Sequence, residues 1–218
     1  MIVADNTIIG VVHMTGQTAF YMADVVEYDE RGRIKREALY RDSLDATRPL
    51  PSALIGSSTV VTGTGTDTEE RNLGVVEQFD ESVGHGIHAK PLEDSLAADL
   101  VWSERWLDHD LTRPALVEFM SQLRSGFDGF RHDGGTTWIA GDFVVQGAHA
   151  EGAPSDMPWL GIAGNPHKSV SVPALTIFRL DHEHIKAAVE FWTIGALYTQ
   201  LGIKPPTTTP SLPSPPKQ

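Results

Sequence analysis

The chain contains no cysteine among its 218 residues. Disulfide bonds, thiolate nucleophiles and cysteine-ligated metals are therefore excluded. Basic residues are also few, since 17 Lys and Arg stand against 29 Asp and Glu and give a formal net charge of -12. Because this negative charge repels phosphate backbones and anionic lipid surfaces, we expect neither nucleic acid nor a membrane as the main partner.

Long apolar runs are absent as well. No window reaches the roughly 18 apolar residues that a membrane-spanning helix requires, and the first residues lack the basic start of a signal peptide. We therefore expect a cytoplasmic globular protein, with enough apolar residues, 40% of the chain, to form a core. Residues 204–218 are dominated by Pro, Thr and Ser, which predicts a disordered tail.

The chain aligns with itself in two blocks. Residues 2–9 match residues 138–145, and the same offset of 136 places His13 on His149. Residues 34–42 match residues 185–193 at an offset of 151. The difference predicts a 15-residue insertion in the later copy, within residues 153–168.

The repeat divides the chain into four parts. Residues 1–43 are predicted to be the final strands of one domain, and residues 67–203 a complete domain of the same kind. The Ser-, Thr-, Pro- and Gly-rich residues 44–66 are predicted to link them, and 204–218 form the tail.

Hydrophobic periodicity predicts the elements of each part. The first part contains alternating strands at about residues 7–13, 19–28 and 33–40. The second part begins with three helices: one capped by Thr66 and Glu69, a short one at about residues 92–99, and one capped by Thr112. Strands are predicted to follow at about residues 137–149, 170–180 and 184–193. Helices followed by strands indicate an α+β domain with a curved antiparallel sheet packed on three helices.

The complete part resembles the SnoaL-like polyketide cyclase family of the nuclear-transport-factor-2-like superfamily. The resemblance lies in the order of elements and in three segments of sequence. These segments are Gly147-Ala148-His149-Ala150-Glu151-Gly152, Glu190-Phe191-Trp192-Thr193 and Gln200-Leu201-Gly202.

The resemblance implies a cone-shaped fold with a deep apolar pocket for a small apolar molecule. It also implies homodimers and, in some members, cyclisation or isomerisation of the ligand. Cyclase-like members carry an acid/base aspartate seven residues before the glutamine that corresponds to Gln200. That position holds Thr193 in the complete copy, and Asp42 in the partial one.

Several side chains are candidates for this pocket. His149 is a catalytic candidate because imidazole titrates near neutral pH, although a hydrogen-bonded structural histidine at a strand end is the commoner meaning of this pattern. Strand alternation places Val189, Phe191 and Thr193 on one face, which we interpret as pocket lining, and groups Phe143 with His149. Trp102 and Trp106 form either an aromatic pocket wall or part of the core.

The acidic and histidine-rich residues 181–184 have the composition of a metal site. They align with the hairpin turn at residues 29–33, which predicts an exposed turn instead. We expect no metal and no cofactor.

Two functional classes remain open. One is a pocket enzyme, a cyclase or isomerase that uses general acid/base catalysis on an apolar carbonyl substrate. The other is a ligand-binding or dimerisation module without catalysis, because Thr193 cannot act as a base near neutral pH.

Overall fold

The structure, a computed structural model, contains two five-stranded sheets and four helices. It describes residues 1–14, 20–41, 48–54, 60–84, 89–157, 159 and 168–205, and the side chains of 89–91 are not included. Of the sequence predictions, Asp42, the tail from residue 206 and parts of the linker and the insertion lie outside the described residues. No helix in the described ranges is long and apolar enough to cross a bilayer.

The first sheet contains the three strands predicted near the N-terminus and two additional short ones. Its strands are β1 (Ile2–Ala4), β2 (Thr7–Met14), β3 (Phe20–Tyr28), β4 (Ile34–Arg41) and β5 (Val61–Thr62), in the order β4-β3-β2-β1-β5. β5 lies inside the predicted linker and pairs in parallel with β1. In the predicted turn between β3 and β4, the Asp29 carboxylate accepts hydrogen bonds from the backbone of Arg31 and Arg33.

The second part contains four helices and the other sheet. Its elements are α1 (Asp67–Gly84), α2 (Ala89–Asp94), β6 (Leu96–Glu104), α3 (Arg113–Gly126), β7 (Phe127–Ala140), β8 (Phe143–Pro154), β9 (Val170–Asp181), β10 (His184–Trp192) and α4 (Ile194–Leu201). The sheet order is β6-β10-β9-β8-β7. Helices followed by strands confirm the α+β prediction, and helices cover one face of this curved sheet.

The predicted boundaries are wrong around the second helix. α2 ends at Asp94, and the second half of the segment predicted as helix belongs to the strand β6, which pairs in parallel with β10. Leu92 and Leu96 have helical spacing, but the edge of β10 provides hydrogen bonds for a strand, and this pairing overrides local propensity. The sheet is therefore not wholly antiparallel.

The strand predicted at residues 137–149 is in fact a hairpin. β7 begins directly after α3 and ends at Ala140, Gly141 turns the chain with φ of 54°, and β8 runs antiparallel to β7. Gly129 and Gly134, both with positive φ, lie next to two register shifts in β7. These irregularities interrupt the alternation of buried and exposed residues, so the sequence pattern does not predict the first half of β7 as a strand.

The segment Gln200-Leu201-Gly202 forms the end of a helix that the sequence analysis did not predict. α4 follows β10 immediately, with Thr193 at its N-cap position and Gly202 at its C-cap with φ of 71°. The glycine allows the left-handed conformation that terminates the helix. β9 and β10 lie where the periodicity predicts them.

The strand registers of the two sheets correspond position by position. Rows of paired residues that cross β2, β3 and β4 match rows that cross β8, β9 and β10. Three matching rows are Ile8-Val26-Glu37 with Val144-Phe178-Ala188, Gly10-Asp24-Leu39 with Gln146-Thr176-Glu190, and Val12-Met22-Arg41 with Ala148-Ala174-Trp192. The first sheet is thus a partial copy of the second, as the alignment predicts.

The two sheets pack against each other through equivalent faces. The core between them contains both members of seven matching pairs, buried or partly buried. The pairs are Ile2 and Trp138, Ala4 and Ala140, Ile9 and Val145, Ala23 and Leu175, Val25 and Ile177, Ala38 and Val189, and Tyr40 and Phe191. The first sheet therefore covers the face of the second sheet that the helices leave free, in the manner of a two-fold interface.

Candidate functional site

A cluster of ionisable side chains is buried between the second sheet and its helices. It consists of Asp80 on α1, Glu104 at the end of β6, His132 on β7 and Glu190 on β10. Glu104 and Glu190 are 0% and 1% exposed. Charges removed from water are tolerated only when partners compensate them, so each contact of the cluster matters.

Glu104 is held by two indole groups. The Nε1–H of Trp102 donates to its Oε1 at 2.8 Å, and the Nε1–H of Trp106 donates to its Oε2 at 3.1 Å. Burial, with the negative charge of Glu190 as the next cause, raises the pKa of Glu104 well above its ordinary value. Glu104 therefore favours its neutral, protonated form, and it lies beside Glu190 because the two residues pair across β6 and β10.

Glu190 is the ionised partner. Its Oε1 lies 3.4 Å from His132 Nε2 and accepts a hydrogen bond from Thr176 Oγ1 at 3.2 Å. Burial alone would raise the pKa of Glu190, but the adjacent His132 imidazolium outweighs burial and holds the pKa below its ordinary value.

His132 carries the positive charge of the cluster. Its Nδ1 lies 3.6 Å from Asp80 Oδ1, and Gln146 Nε2 donates to the other oxygen of Asp80. Burial lowers the pKa of His132, but Asp80 and Glu190 outweigh that effect and raise it to about 10. The four groups thus form a chain of an anion, a cation, an anion and a neutral acid.

The chemical consequence lies in the two carboxyl groups. Their environments displace the pKa values of Glu104 and Glu190 in opposite directions, so that one carries a proton and the other accepts one. Such a pair can remove a proton from one atom of a substrate and donate a proton to another.

Aromatic side chains fill the space beside the carboxyl pair. The rings of Phe130 and Trp192 stack with centroids 5.9 Å apart, and Trp106 packs against Trp192 at 6.5 Å. A cavity of about 10 Å³ adjoins Phe130 and Trp192. The space beside the pair is therefore filled largely by aromatic rings.

The structure places Trp102 and Trp106 at this cluster. Both are buried, at 1% and 0% exposure, and both donate to Glu104. Trp102 lies within β6, the strand that begins in the second half of the predicted helix.

Val189, Phe191 and Phe143 lie on the opposite face of the sheet. Val189 and Phe191 are buried between the two sheets, and Phe143 packs there with partial exposure. The alternation along β10 is as predicted, but the face toward the helices carries Ala188, Glu190 and Trp192, since Ala188 and Trp192 belong to the helix-side core. Thr193, seven residues before Gln200, lies just after β10 and is the N-cap of α4. It is therefore not part of the strand face on which the sequence analysis placed it.

His149 lies near the surface, away from the cluster. Its ring Nδ1 is 3.0 Å from Ser171 Oγ. With Tyr40 and Arg36 of the first sheet it lines a polar cavity of about 110 Å³ between the sheets. Asp42, the other catalytic candidate, is outside the described residues.

The turn predicted at residues 181–184 connects β9 to β10. His182 adopts φ of 58° and its side chain is 92% exposed. In the part of the chain that the structure describes, no group of three or more His, Asp or Glu side chains is placed to hold a metal ion.

Sequence reasoning missed the four ionisable residues of the cluster. Glu190 shares its strand face with Trp192, and an acid within an otherwise apolar strand is a detectable signal. Glu104 lies between Trp102 and Trp106 in the sequence, which is a second signal. His132 could not be placed because the glycine-interrupted β7 conceals its face.

Comparison with solved structures reveals the fold. No family model and no curated protein matches the sequence. A protein named as a SnoaL-like polyketide cyclase from Jannaschia sp. CCS1 superposes with a TM-score of 0.56 at 20% identity, covering 65% of this chain and 99% of its own. The chain contains a SnoaL-like fold.

Two further structures show the same SnoaL-like fold. IdmH from Streptomyces antibioticus, named as a polyketide cyclase, gives a TM-score of 0.53 at 16% identity, covering 61% of this chain and 99% of its own. A protein with a ketosteroid isomerase-like fold from Catenulispora acidiphila, in complex with trimethylamine, gives 0.51 at 18% identity, covering 60% and 93%. In the chain described here, the SnoaL-like fold surrounds the carboxyl pair with helices on one side and the sheet on the other.

Proposed function

We propose that this chain is a SnoaL-like small-molecule pocket protein that transfers protons within an apolar carbonyl substrate, as an isomerase or cyclase. The observation that carries the proposal is the pairing of Glu104 with Glu190 on neighbouring strands, both fully buried, with pKa values displaced in opposite directions. Thr176 donates a hydrogen bond to Glu190, and Gln146 donates one to Asp80, the carboxylate beside His132.

In the proposed reaction Glu190 removes a proton from the carbon next to the carbonyl group. The C–H electrons form the C=C bond of an enol while the carbonyl oxygen takes the proton of Glu104. Return of a proton to a different carbon gives isomerisation, and attack of the enol carbon on a second carbonyl gives cyclisation. An ionised base and a neutral acid in an apolar site provide both transfers without a change of net charge.

His132 and Asp80 have a positioning role in this proposal. The imidazolium ion compensates the charge of Glu190 and fixes the orientation of its carboxylate, and Asp80 compensates the imidazolium ion in turn. Without this chain the buried Glu190 would take up a proton and lose its basicity.

Exchange of carbon-bound protons tests the proposal. In D2O the chain should accelerate deuterium incorporation at the α-carbon of 1-indanone, a small aryl ketone, as followed by NMR. Glu190→Gln should lower the accelerated rate about 100-fold or more, because the amide cannot accept the proton. The matched control is Glu183→Gln, the same change in the exposed β9–β10 turn, which should leave the rate unchanged. Equal rates in both variants would reject Glu190 as the base.

A second candidate is a ligand-binding or dimerisation module without catalysis. Two observations favour it: Thr193 occupies the position where the resemblance implies an aspartate, and the carboxyl pair is enclosed by aromatic rings. Binding of the ketone without any acceleration of exchange would support this candidate. The expected partners in both cases are a small apolar molecule and a second copy of the chain.

A further inference from the structure

A cavity of about 110 Å³ lies between the two sheets, and we call it the intersheet cavity. It is separate from the carboxyl pair, which lies on the helix side of the second sheet. Its wall from the first sheet carries Glu27, Arg36 and Tyr40, and its wall from the second sheet carries Thr136 and His149. The volume is several times the roughly 15 Å³ that one water molecule needs, so the cavity has room for a small polar molecule.

Glycines in β7 and β8 make room for the intersheet cavity. Gly134, with φ of 59°, lies at a register shift in β7 and lines the cavity. A Cβ atom at Gly147 of β8 would lie 3.3 Å from the ring of Trp138 and 3.3 Å from the hydroxyl oxygen of Tyr40. A side chain at position 147 would therefore occupy part of this space.

The matching positions of the other copy carry apolar side chains. Gly147 corresponds to Val11, and Tyr40 corresponds to Phe191, which has no hydroxyl group. Both Val11 and Phe191 pack in the core between the sheets. The two copies thus depart from their correspondence at the intersheet cavity, where a smaller residue leaves space and a hydroxyl group adds polarity.

Two opposite charges flank the cavity on neighbouring strands. Glu27 on β3 pairs with Arg36 on β4, and Nη1 of Arg36 lies 3.7 Å from Oε1 of Glu27. This distance is longer than a hydrogen bond. The Glu27 side chain is 19% exposed and that of Arg36 is 64% exposed, so the anion lies deeper than the cation. The matching positions hold Arg179 and Ala187, which form no such pair of opposite charges.

The imidazole of His149 adds a hydrogen-bond acceptor. Its Nδ1 lies 3.0 Å from Ser171 Oγ, and Ser171 donates its hydroxyl hydrogen to Glu151. Ser171 Oγ therefore accepts from the Nδ1–H of His149, which leaves Nε2 of the neutral imidazole as an acceptor. The hydroxyl groups of Tyr40 and Thr136 can donate or accept. The lining thus offers partners for both an ammonium group and a carboxylate.

Three apolar side chains form the buried part of the lining. They are Val25, Ala38 and Trp138, of which Val25 and Trp138 are 3% and 9% exposed. An alkyl group that packs against these side chains leaves water, which stabilises the bound state. The lining therefore suits a ligand that combines charged groups with a short apolar part.

We propose that the intersheet cavity binds a small zwitterion, an α-amino acid with a short apolar side chain. Its ammonium group lies at Glu27, its carboxylate lies at Arg36, and its alkyl group packs against Trp138. Such a ligand gives each member of the ion pair a charged partner and adds no net charge to the cavity. A simple anion or cation would satisfy only one member of the pair. This site is independent of the proposed proton transfer.

NMR titration of the full chain with three related molecules tests the proposal. L-Alanine should shift the amide signals of Gly134 and Gly147 and the indole N–H signal of Trp138 in a saturable manner. Propionate lacks the ammonium group and ethylammonium lacks the carboxylate, so each should bind about tenfold more weakly or less. Equal affinity for either of these two ions would overturn the proposal, as would the absence of saturable shifts with L-alanine.

Charge variants test the assigned contacts. Glu27→Gln and Arg36→Gln should each raise the dissociation constant for L-alanine about tenfold or more, because each removes one charge-assisted contact. Glu37→Gln is the matched control, since Glu37 is exposed and lies on the opposite face of β4. Equal weakening by Glu27→Gln and Glu37→Gln would indicate a long-range effect of charge and overturn the proposal, as would unchanged binding in Glu27→Gln.

A pair of glycine variants tests the cavity itself. Gly147→Ala should weaken L-alanine binding about tenfold, because the added methyl group occupies part of the cavity. Gly10→Ala in β2 is the control, since a Cβ atom there would meet no other atom within 4 Å. Equal affinities of these two variants would overturn the proposal. If Gly147→Ala does not fold, the comparison of Glu27→Gln with Glu37→Gln decides.

The two proposed sites can be distinguished with one further variant. Glu190→Gln should bind L-alanine with the affinity of the unmodified chain, because Glu190 lies on the helix side of the second sheet. Loss of L-alanine binding in Glu190→Gln would place the ligand at the carboxyl pair and overturn the intersheet site.

Discussion

At the scale of single residues, a buried chain of charges determines the chemistry of the molecule. Asp80, His132 and Glu190 compensate one another, and Glu104 stays neutral because a third buried anion would lack a counter-ion. Each of the four groups comes from a different element. The cluster therefore forms only when the tertiary structure is complete, which is why local sequence patterns do not reveal it.

His132 should make stability depend on alkaline pH. Its pKa is raised from 6.5 to about 10 in the folded chain, so its stabilising contribution is complete below about pH 6.5 and is lost as pH rises through about 10. The free energy of unfolding, measured by urea titration between these pH values, should therefore fall in the unmodified chain.

In His132→Asn this alkaline decline should be largely absent, and the variant should be less stable by roughly 3 kcal/mol at neutral pH, because Asp80 and Glu190 lose their counter-ion. The same substitution at the exposed His182 serves as control and should leave the decline intact. A decline of equal size in His132→Asn would mean that His132 is not the cation inferred here.

The catalytic candidates show which site residues can be found from the sequence alone. The sequence resemblance directs attention to the last strand, and the acid found there is Glu190. Counting seven residues back from Gln200 selects Thr193 instead. The structure shows that Thr193 is the N-cap of the helix at residues 194–201, which the sequence analysis did not predict. Trp102 and Trp106, which the sequence analysis singled out, do contact this cluster. That both indoles donate hydrogen bonds to Glu104 can be seen only in the structure.

At the scale of elements, local signals predict the two long helices, α1 and α3, and the hairpins β3–β4 and β9–β10. The capping box of α1 is present as predicted, since Thr66 Oγ1 accepts from the backbone N–H of Glu69 and the Glu69 carboxylate accepts from that of Thr66. The predictions fail where a partner element determines the structure, as for β6 at the edge of β10, or where glycines interrupt a strand, as in β7.

Glu69 should be more important for stability than a capping residue ordinarily is. Its carboxylate also accepts hydrogen bonds from the backbone of Thr64 and of Gly141 in the β7–β8 turn. Glu69→Ala leaves these donors unpaired and should lower the free energy of unfolding by about 2 kcal/mol. Urea denaturation is the measurement, with Glu70→Ala, an exposed residue of the same helical turn, as control. Equal effects of the two substitutions would exclude this special role.

At the scale of the whole molecule, the alignment of the chain with itself is the most informative sequence result. It predicts the correspondence of strands, and the registers confirm both aligned blocks, while β3 matches β9 one residue further along, so that Val26 corresponds to Phe178 and the insertion is one residue longer than predicted. The alignment does not indicate which faces of the two copies meet. That choice depends on the helices, which occupy one face of the second sheet and leave the other for the first sheet.

Neighbouring valines in β3 test the packing of the two sheets. Val25 is 3% exposed in the core between the sheets, whereas Val26 belongs to the opposite face of β3. Val25→Asp places an unpaired charge in that core and should lower the free energy of unfolding by roughly 3 kcal/mol or more. Val26→Asp should cost clearly less. Similar losses in urea denaturation would show that the two sheets do not depend on this contact.

Because both sheets use equivalent faces, two molecules in concentrated solution could exchange these strands and form the same contacts. Two chains that exchange strands β1 to β4 would bury the same seven pairs of positions in each half of the resulting dimer. The contacts of the closed and the exchanged forms are then equal, so protein concentration and the connection between β4 and β5 decide which form prevails. The homodimer expected from the sequence would, by this route, be an exchanged form of the monomer's own interface.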